Sequence, residues 1–219
     1  MQLQIAPSLL SADFLKLGED VRTLNAHADI IHLDVMDGVQ VPNLSFGFSV
    51  TDAVAKVATI PLDAHLMICN PERYADRFIE GGVSMLSFHY EAAGRGTARL
   101  LEHIRSKGVQ AGVAIDPDVP VSKLFRFIGK ADFILIMSVF AGFGGQKFIY
   151  ESIDRIAELK AEIDRMGAAT RIEVDGGVGT DNIAALKEAG AGIFVAGSSV
   201  FKGGDPAGAI RALREAASK

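Results

Sequence analysis

The 219-residue chain is 49% hydrophobic and 22% charged, which excludes a disordered or low-complexity protein and fits the roughly 200 to 250 residues of one barrel or one large α/β domain. A net charge of −5 with no run of Lys or Arg leaves no electrostatic footprint for nucleic acid or anionic lipid. Cys69 is the only cysteine, which excludes a disulfide framework and a zinc ribbon; the opening MQLQIAPSLL is unlike a signal peptide, and no apolar run nears the roughly 20 residues of a membrane span, so a cytoplasmic protein without membrane contact is expected.

Short apolar runs recur along the chain, each followed by a longer segment with helical spacing and charged faces. Strands are expected near Leu3 to Ser8, Asp29 to Val35, Pro61 to Met67, Val83 to Tyr90, Val109 to Ile115, Asp132 to Ser138, Thr170 to Asp175 and Ile193 to Gly197. Helix starts are signalled at Ser11 with Phe14 beyond it, at Asn70-Pro71-Glu72, at Asp118 before Val119-Pro120, and at Asp205-Pro206. No linker interrupts the repeat, so one domain over residues 1–219 is expected.

Eight βα units can close into a barrel or lie as an open doubly wound sheet. Strand parity decides between them. His32, Asp34 and Met36 share one face of their strand, as do Asp63, His65 and Met67, and again Arg171, Glu173 and Asp175. An open sheet covered on both sides should be apolar on both faces, whereas a barrel interior can hold polar layers, so a single (β/α)₈ TIM barrel is predicted. Its catalytic groups belong at the C-terminal strand ends, where Asp34, His65, Met137 and Asp175 fall.

His32, Asp34, His65 and Asp175 make an N₂O₂ donor set for one divalent ion, with imidazole and carboxylate suiting Zn, Fe, Mn or Co. Each residue alone reads as readily as a hydrogen-bonded interior group or a helix cap. Together they are harder to account for that way, because two carboxylates in one mouth call for a compensating cation or protons. Phosphate binding is suggested by glycine turns after late strands: Gly142-Phe143-Gly144-Gly145, Gly176-Gly177 and Gly197-Ser198. Neither a Walker A spacing nor a GxGxxG is present. Met36, Met67 and Met137 fall at inward strand ends, as an apolar collar over a reactive intermediate or as ordinary core.

The segments APSLLSADF, HLDVMDG with VPNLSFG, PLDAHLM with NPERY, GFGGQKF, IEVDGGV and VAGSSVF resemble the ribulose-phosphate 3-epimerase family, over nearly the whole chain from Ile5 to Lys202. The resemblance implies a barrel of the ribulose-phosphate binding type that converts D-ribulose 5-phosphate to D-xylulose 5-phosphate in the pentose phosphate pathway. It implies metal on His32, Asp34, His65 and Asp175, with Asp34 and Asp175 as the acid/base pair. Ser8 and His65 would touch the sugar phosphate, while Gly142 to Gly145, Gly176, Gly177, Gly197 and Ser198 would hold it and its phosphate. A homo-oligomer is expected. The chain departs from the family's usual pattern at Phe140-Ala141, where Asn-Pro is usual, at Val39-Gln40, where His-Phe is usual, and at Asp116, where asparagine is usual. These changes bear on sugar preference and loop closure.

Three rival readings stand beside this one. One is a 3-epimerase of a phosphorylated hexulose such as D-allulose 6-phosphate, which would use the same aspartates. A phosphate-barrel decarboxylase would need a lysine near the second strand end, where this chain has Met36. A barrel that binds sugar phosphates without catalysis would have no need of all four candidate ligands.

Overall fold

The computed structural model describes residues 3–219. Its strands are β1 (Gln4–Pro7), β2 (Ile31–Met36), β3 (Leu62–Met67), β4 (Met85–His89), β5 (Gln110–Ile115), β6 (Phe133–Met137), β7 (Arg171–Asp175) and β8 (Ile193–Ala196). All pair in parallel in the order β1-β8-β7-β6-β5-β4-β3-β2. The seam between β1 and β2 is closed by a parallel bridge of Ser8 with His32, by the Asp29 N–H donating to the Ile5 carbonyl at 3.1 Å, and by the Ile5 N–H donating to Asp29 Oδ2 at 2.7 Å. The result is the expected (β/α)₈ barrel.

Period-two alternation builds both surfaces of that sheet. Ile31, Leu33, Val35, Leu62, Ala64, Leu66, Ile134, Ile136, Ile172 and Val174 point outward into the main core against the helices. Each of these Val, Leu and Ile side chains, fully removed from water, contributes roughly 1.5–3 kcal/mol. The alternate positions point inward: Ala6, Ile30, Met85, Phe133, Ile193 and Val195 pack one end of the interior. Above them lies a polar layer containing His32, Asp63, His65, Ser87, His89 and Glu173, all at 0% exposure. Gly112 belongs to this packing, since a Cβ there would lie 2.3 Å from the Phe133 ring.

The outer ring comprises α1 (Leu17–His27), α2 (Phe48–Ala55), α3 (Ala75–Glu80), α4 (Tyr90–Ala93), α5 (Thr97–Ser106), α6 (Glu151–Met166), α7 (Ile183–Ala189), α8 (Ser198–Phe201) and α9 (Pro206–Ala216). Only the last of the four expected starts opens a full α-helix as read. Asp205 caps α9 by accepting the Gly208 N–H, with Pro206 in the first turn. Ser11 instead ends a 3₁₀ turn over Leu9–Ser11 that Ser8 caps, and α1 begins six residues later, while Phe14 packs on Phe46 with ring centroids 5.7 Å apart. Asn70 stands in the left-handed region and leads a 3₁₀ turn, Pro71–Arg73, before α3. Beyond Asp118 the chain winds as a 3₁₀ helix from Val121 to Phe127, preceded directly by Pro120.

Candidate active site

Strand register brings the polar side chains together. His32 pairs with Asp63 and Asp34 with His65 across β2 and β3, and Met137 pairs with Asp175 across β6 and β7. His32, Asp34, His65 and Asp175 thereby place one donor atom each within 4.8 Å of all the others. His32 Nε2 lies 3.3 Å from Asp34 Oδ1; His65 Nδ1 lies 3.6 Å from the same oxygen and 3.8 Å from Asp175 Oδ2.

The two ring nitrogens that face this cluster, His32 Nε2 and His65 Nδ1, are buried and have no hydrogen-bond partner. Buried polar atoms are seldom left so, and two lone pairs converging with two carboxylate oxygens fit a divalent cation. The far side of each ring is tied down. His32 Nδ1 is 2.7 Å from Asp63 Oδ2, with Glu173 Oε1 at 3.7 Å, and His65 Nε2 is 3.0 Å from His89 Nε2. Such outer partners orient a ligand imidazole and select its tautomer.

The electrostatics follow from burial and these contacts. Burial works to raise the Asp34 carboxyl, but the His32 and His65 imidazoles that face it win and hold it far below the usual carboxylate range. Burial pushes His32 down, yet Asp34 and Asp63 lift it well above an ordinary histidine; His65 is likewise pushed down by burial and raised by the nearby Asp175 and Asp34 carboxylates. Burial and the Asp63 charge push the Glu173 carboxyl well up. The Ser8 hydroxyl donates to Asp34 Oδ2 and leaves Oδ1 facing the histidines.

A cavity opens over this layer at the C-terminal strand ends. Its walls include Ser8, Asp34, Asp175, the methionines Met36, Met67 and Met137, the Gly142–Gly145 turn, Gly176, Gly177, Gly197 and Ser198. His32 and His65 lie beneath its floor at 0% exposure, while Phe143 stands half exposed at its rim. Gly177 has φ +64° and sits so close to the Phe148 backbone that a Cβ would lie 2.9 Å from its nitrogen. A Cβ on Gly176 (φ +117°) would lie 2.5 Å from Val139.

Sequence reasoning named Ser11 only as a helix start, though its hydroxyl lies where a Cβ on Gly197 would come within 2.7 Å, and gave no site role to Gln146, whose amide donates to the Phe140 and Phe143 carbonyls and ties the β6 loop together. It also missed Arg155, a guanidinium that donates to the carbonyls of Met137, Asp116 and Val119. A half-buried cation contacting three carbonyls has no sequence motif; only its place on the inner side of α6 could have marked it.

Comparison with known proteins bears on this geometry. The sequence profile of the Ribulose-phosphate 3 epimerase family matches residues 4–201. The chain is 45% identical over 202 residues to the ribulose-phosphate 3-epimerase of Escherichia coli K12, covering 91% of this chain and 89% of that protein. It is 41% identical over 215 residues to the enzyme of the same name from Mycobacterium tuberculosis, covering 97% and 92%. Among solved structures, a 3-hexulose-6-phosphate synthase superposes with a TM-score of 0.71 at 22% identity, covering 99% of each chain. A 3-keto-L-gulonate-6-phosphate decarboxylase from Vibrio cholerae superposes at 0.74 with 11% identity, covering 100% of this chain and 98% of that one. At these identities the structural likeness speaks for the fold alone.

Proposed function

The chain belongs to the ribulose-phosphate 3-epimerase family and is an epimerase, and from that premise we propose that it interconverts D-ribulose 5-phosphate and D-xylulose 5-phosphate by moving the C3 proton with Asp34 and Asp175. The observation that carries this reading is the pair of carboxylates, from β2 and β7, that meet at the cavity floor beside two unpaired imidazole nitrogens.

Inverting a carbon next to a ketone requires a proton to leave one face and another to arrive on the opposite face, which one base cannot easily serve. Two carboxylates can share the task, one as carboxylate and the other as carboxylic acid, exchanging states in each turnover. His32 Nε2, His65 Nδ1 and one oxygen each from Asp34 and Asp175 would hold a divalent ion, of the Zn, Fe, Mn or Co kind by donor type. When bound, that ion supplies positive charge against the enediolate oxygens. Ser8 orients Asp34 through its hydroxyl. Met36, Met67 and Met137 keep water from the carbanionic carbon. The glycine turns at residues 142–145, 176–177 and 197, with Ser198, would take the phosphate on main-chain N–H groups and hold C3 between the aspartates.

The test is incubation with D-ribulose 5-phosphate, and in parallel with D-allulose 6-phosphate, in D₂O with metal present. Proton NMR should show deuterium entering C3 of the pentulose as xylulose 5-phosphate forms. No exchange from metal-replete protein removes the mechanism, and preferred turnover of the hexulose phosphate moves the substrate assignment to that sugar.

A further inference from the structure

The geometry points to His89 and Glu91 as positioning residues that set which nitrogen of His65 faces the two aspartates. This rests on the proposed ion site.

His89 ends β4 with its side chain wholly buried, and its ring stacks on that of His65 at 14° with centroids 5.0 Å apart. The two Nε2 atoms are 3.0 Å apart, so one of them donates a hydrogen to the other. The direction of that donation matters. If His65 donates, its Nδ1 carries a lone pair toward Asp34 and Asp175 and can bind a cation; if His89 donates, a neutral His65 turns an N–H toward them and cannot. The proton on the far side of His89 decides. His89 Nδ1 is buried without a close hydrogen-bond partner, but Glu91 Oε2 stands 3.6 Å away. A carboxylate there favours an N–H on His89 Nδ1, which leaves Nε2 as the acceptor and makes His65 Nε2 the donor. Glu91 is itself held in place, since its Oε1 accepts the Asp116 N–H at 3.1 Å.

Both ligand histidines are then set by a carboxylate, His32 directly by Asp63 and His65 through His89 by Glu91. The same proton count bears on a second constellation. His89, Glu91 and Asp116 also place donor atoms within 4.8 Å of one another, as a metal site would. A cation on His89 Nδ1 would force His89 Nε2 to donate and would put an N–H on His65 Nδ1. The two sites therefore exclude each other while the histidines are neutral, and the protein binds a single ion per chain.

The experiment uses the full chain loaded with Zn²⁺. Long-range ¹H–¹⁵N spectra of the wild type should show His89 protonated at Nδ1 and unprotonated at Nε2, with one ion per chain by elemental analysis. Glu91→Gln keeps an oxygen for the Asp116 N–H and so turns its NH₂ toward His89 Nδ1, favouring the opposite tautomer. Its Zn²⁺ Kd, measured by competition with a chromophoric chelator, should weaken by roughly tenfold to a hundredfold, while melting of the metal-free protein stays near wild type. A merely structural Glu91 would shift the melting and leave the Kd alone. An unprotonated His89 Nδ1 in the loaded wild type, two ions per chain, or an unchanged Kd in Glu91→Gln overturns the proposal even though the ion site stands. Zn²⁺ binding that survives Asp175→Asn undiminished removes the ion site itself, and the proposal with it.

Discussion

Asp34 and Asp175 stand on β2 and β7, separated around the sheet by β1 and β8, and still bring carboxylate oxygens within 4.8 Å of one another. Their convergence is a property of the closed barrel, because both side chains lie at the C-terminal ends of inward-facing strand positions. Two acids this close and this buried repel unless positive charge stands between them, and His32 and His65 face them with nitrogens that have no other partner.

Asp175→Asn should fold and lose turnover. The side chain is isosteric, and removing its charge relieves repulsion with Asp34. Loss of the proton-transfer group should lower kcat by roughly 10²–10⁴-fold, and deuterium exchange at C3 should fall with it. Wild-type turnover in this variant would strike Asp175 from the mechanism.

The metal-free protein should show a pH dependence of unusual direction. His32 and His65 are raised above their ordinary value of 6.5, so their stabilisation is complete below that value and is lost as pH rises through their folded values. Asp34 is lowered from 3.8, so its share is present above 3.8 and fades only as pH falls through a still lower value. The common window lies on the acid side of neutrality, and the metal-free protein should melt higher at about pH 5.5 than at about pH 9. A divalent ion competes with protons for the same lone pairs, so the gain in melting temperature on adding it should grow as pH rises. Thermal melts across pH with and without chelator check both slopes. A metal-free melting temperature that climbs between those two pH values contradicts the assignment.

Much of this site is legible in the amino-acid sequence, and the reason is parity. Three strands each carry polar residues two apart, and period two forces His32 with Asp34, Asp63 with His65, and Glu173 with Asp175 onto common faces. What parity cannot give is register: that His32 pairs with Asp63, or that His65 pairs with Ser87 and so brings its ring against His89 two residues further along β4, depends on how far neighbouring strands are staggered. His89 and Glu91, at the end of the fourth strand, accordingly read in the sequence either as groups supporting the site or as polar turn residues, with nothing to choose between the two. Helix starts fared worse because Ser8, not Ser11, takes the capping role after β1, and a tight 3₁₀ turn obeys hydrogen bonding that apolar periodicity does not report.

Gly177→Ala should damage both stability and phosphate binding. At φ +64° an L-residue costs about 1–2 kcal/mol, and the new Cβ would press on the Phe148 nitrogen and Cα at 2.9 and 3.0 Å. Backbone cannot yield as a flexible side chain would, so the turn must shift away from its place at the cavity wall. Denaturant melts should show the loss, and kcat/KM on the ketose phosphate should drop by about tenfold or more. Parent-like values of both would mean the turn tolerates a side chain and does not hold the phosphate tightly.

Two departures from the family's usual pattern touch each other. Asp116 stands where asparagine is usual and accepts, at 3.2 Å, the N–H of Ala141, which stands where proline is usual and would offer no N–H. Ala141→Pro should therefore lose that bond to a carboxylate and cost about 1–2 kcal/mol in urea unfolding. In an Asp116→Asn background the acceptor is no longer charged, and the same substitution should cost less, giving a coupling of roughly 0.5–1.5 kcal/mol in a double-mutant cycle. Any backbone strain that proline adds appears on both sides of the cycle and cancels. Strictly additive losses would show that the two positions changed independently and that Asp116 does not anchor the loop after β6.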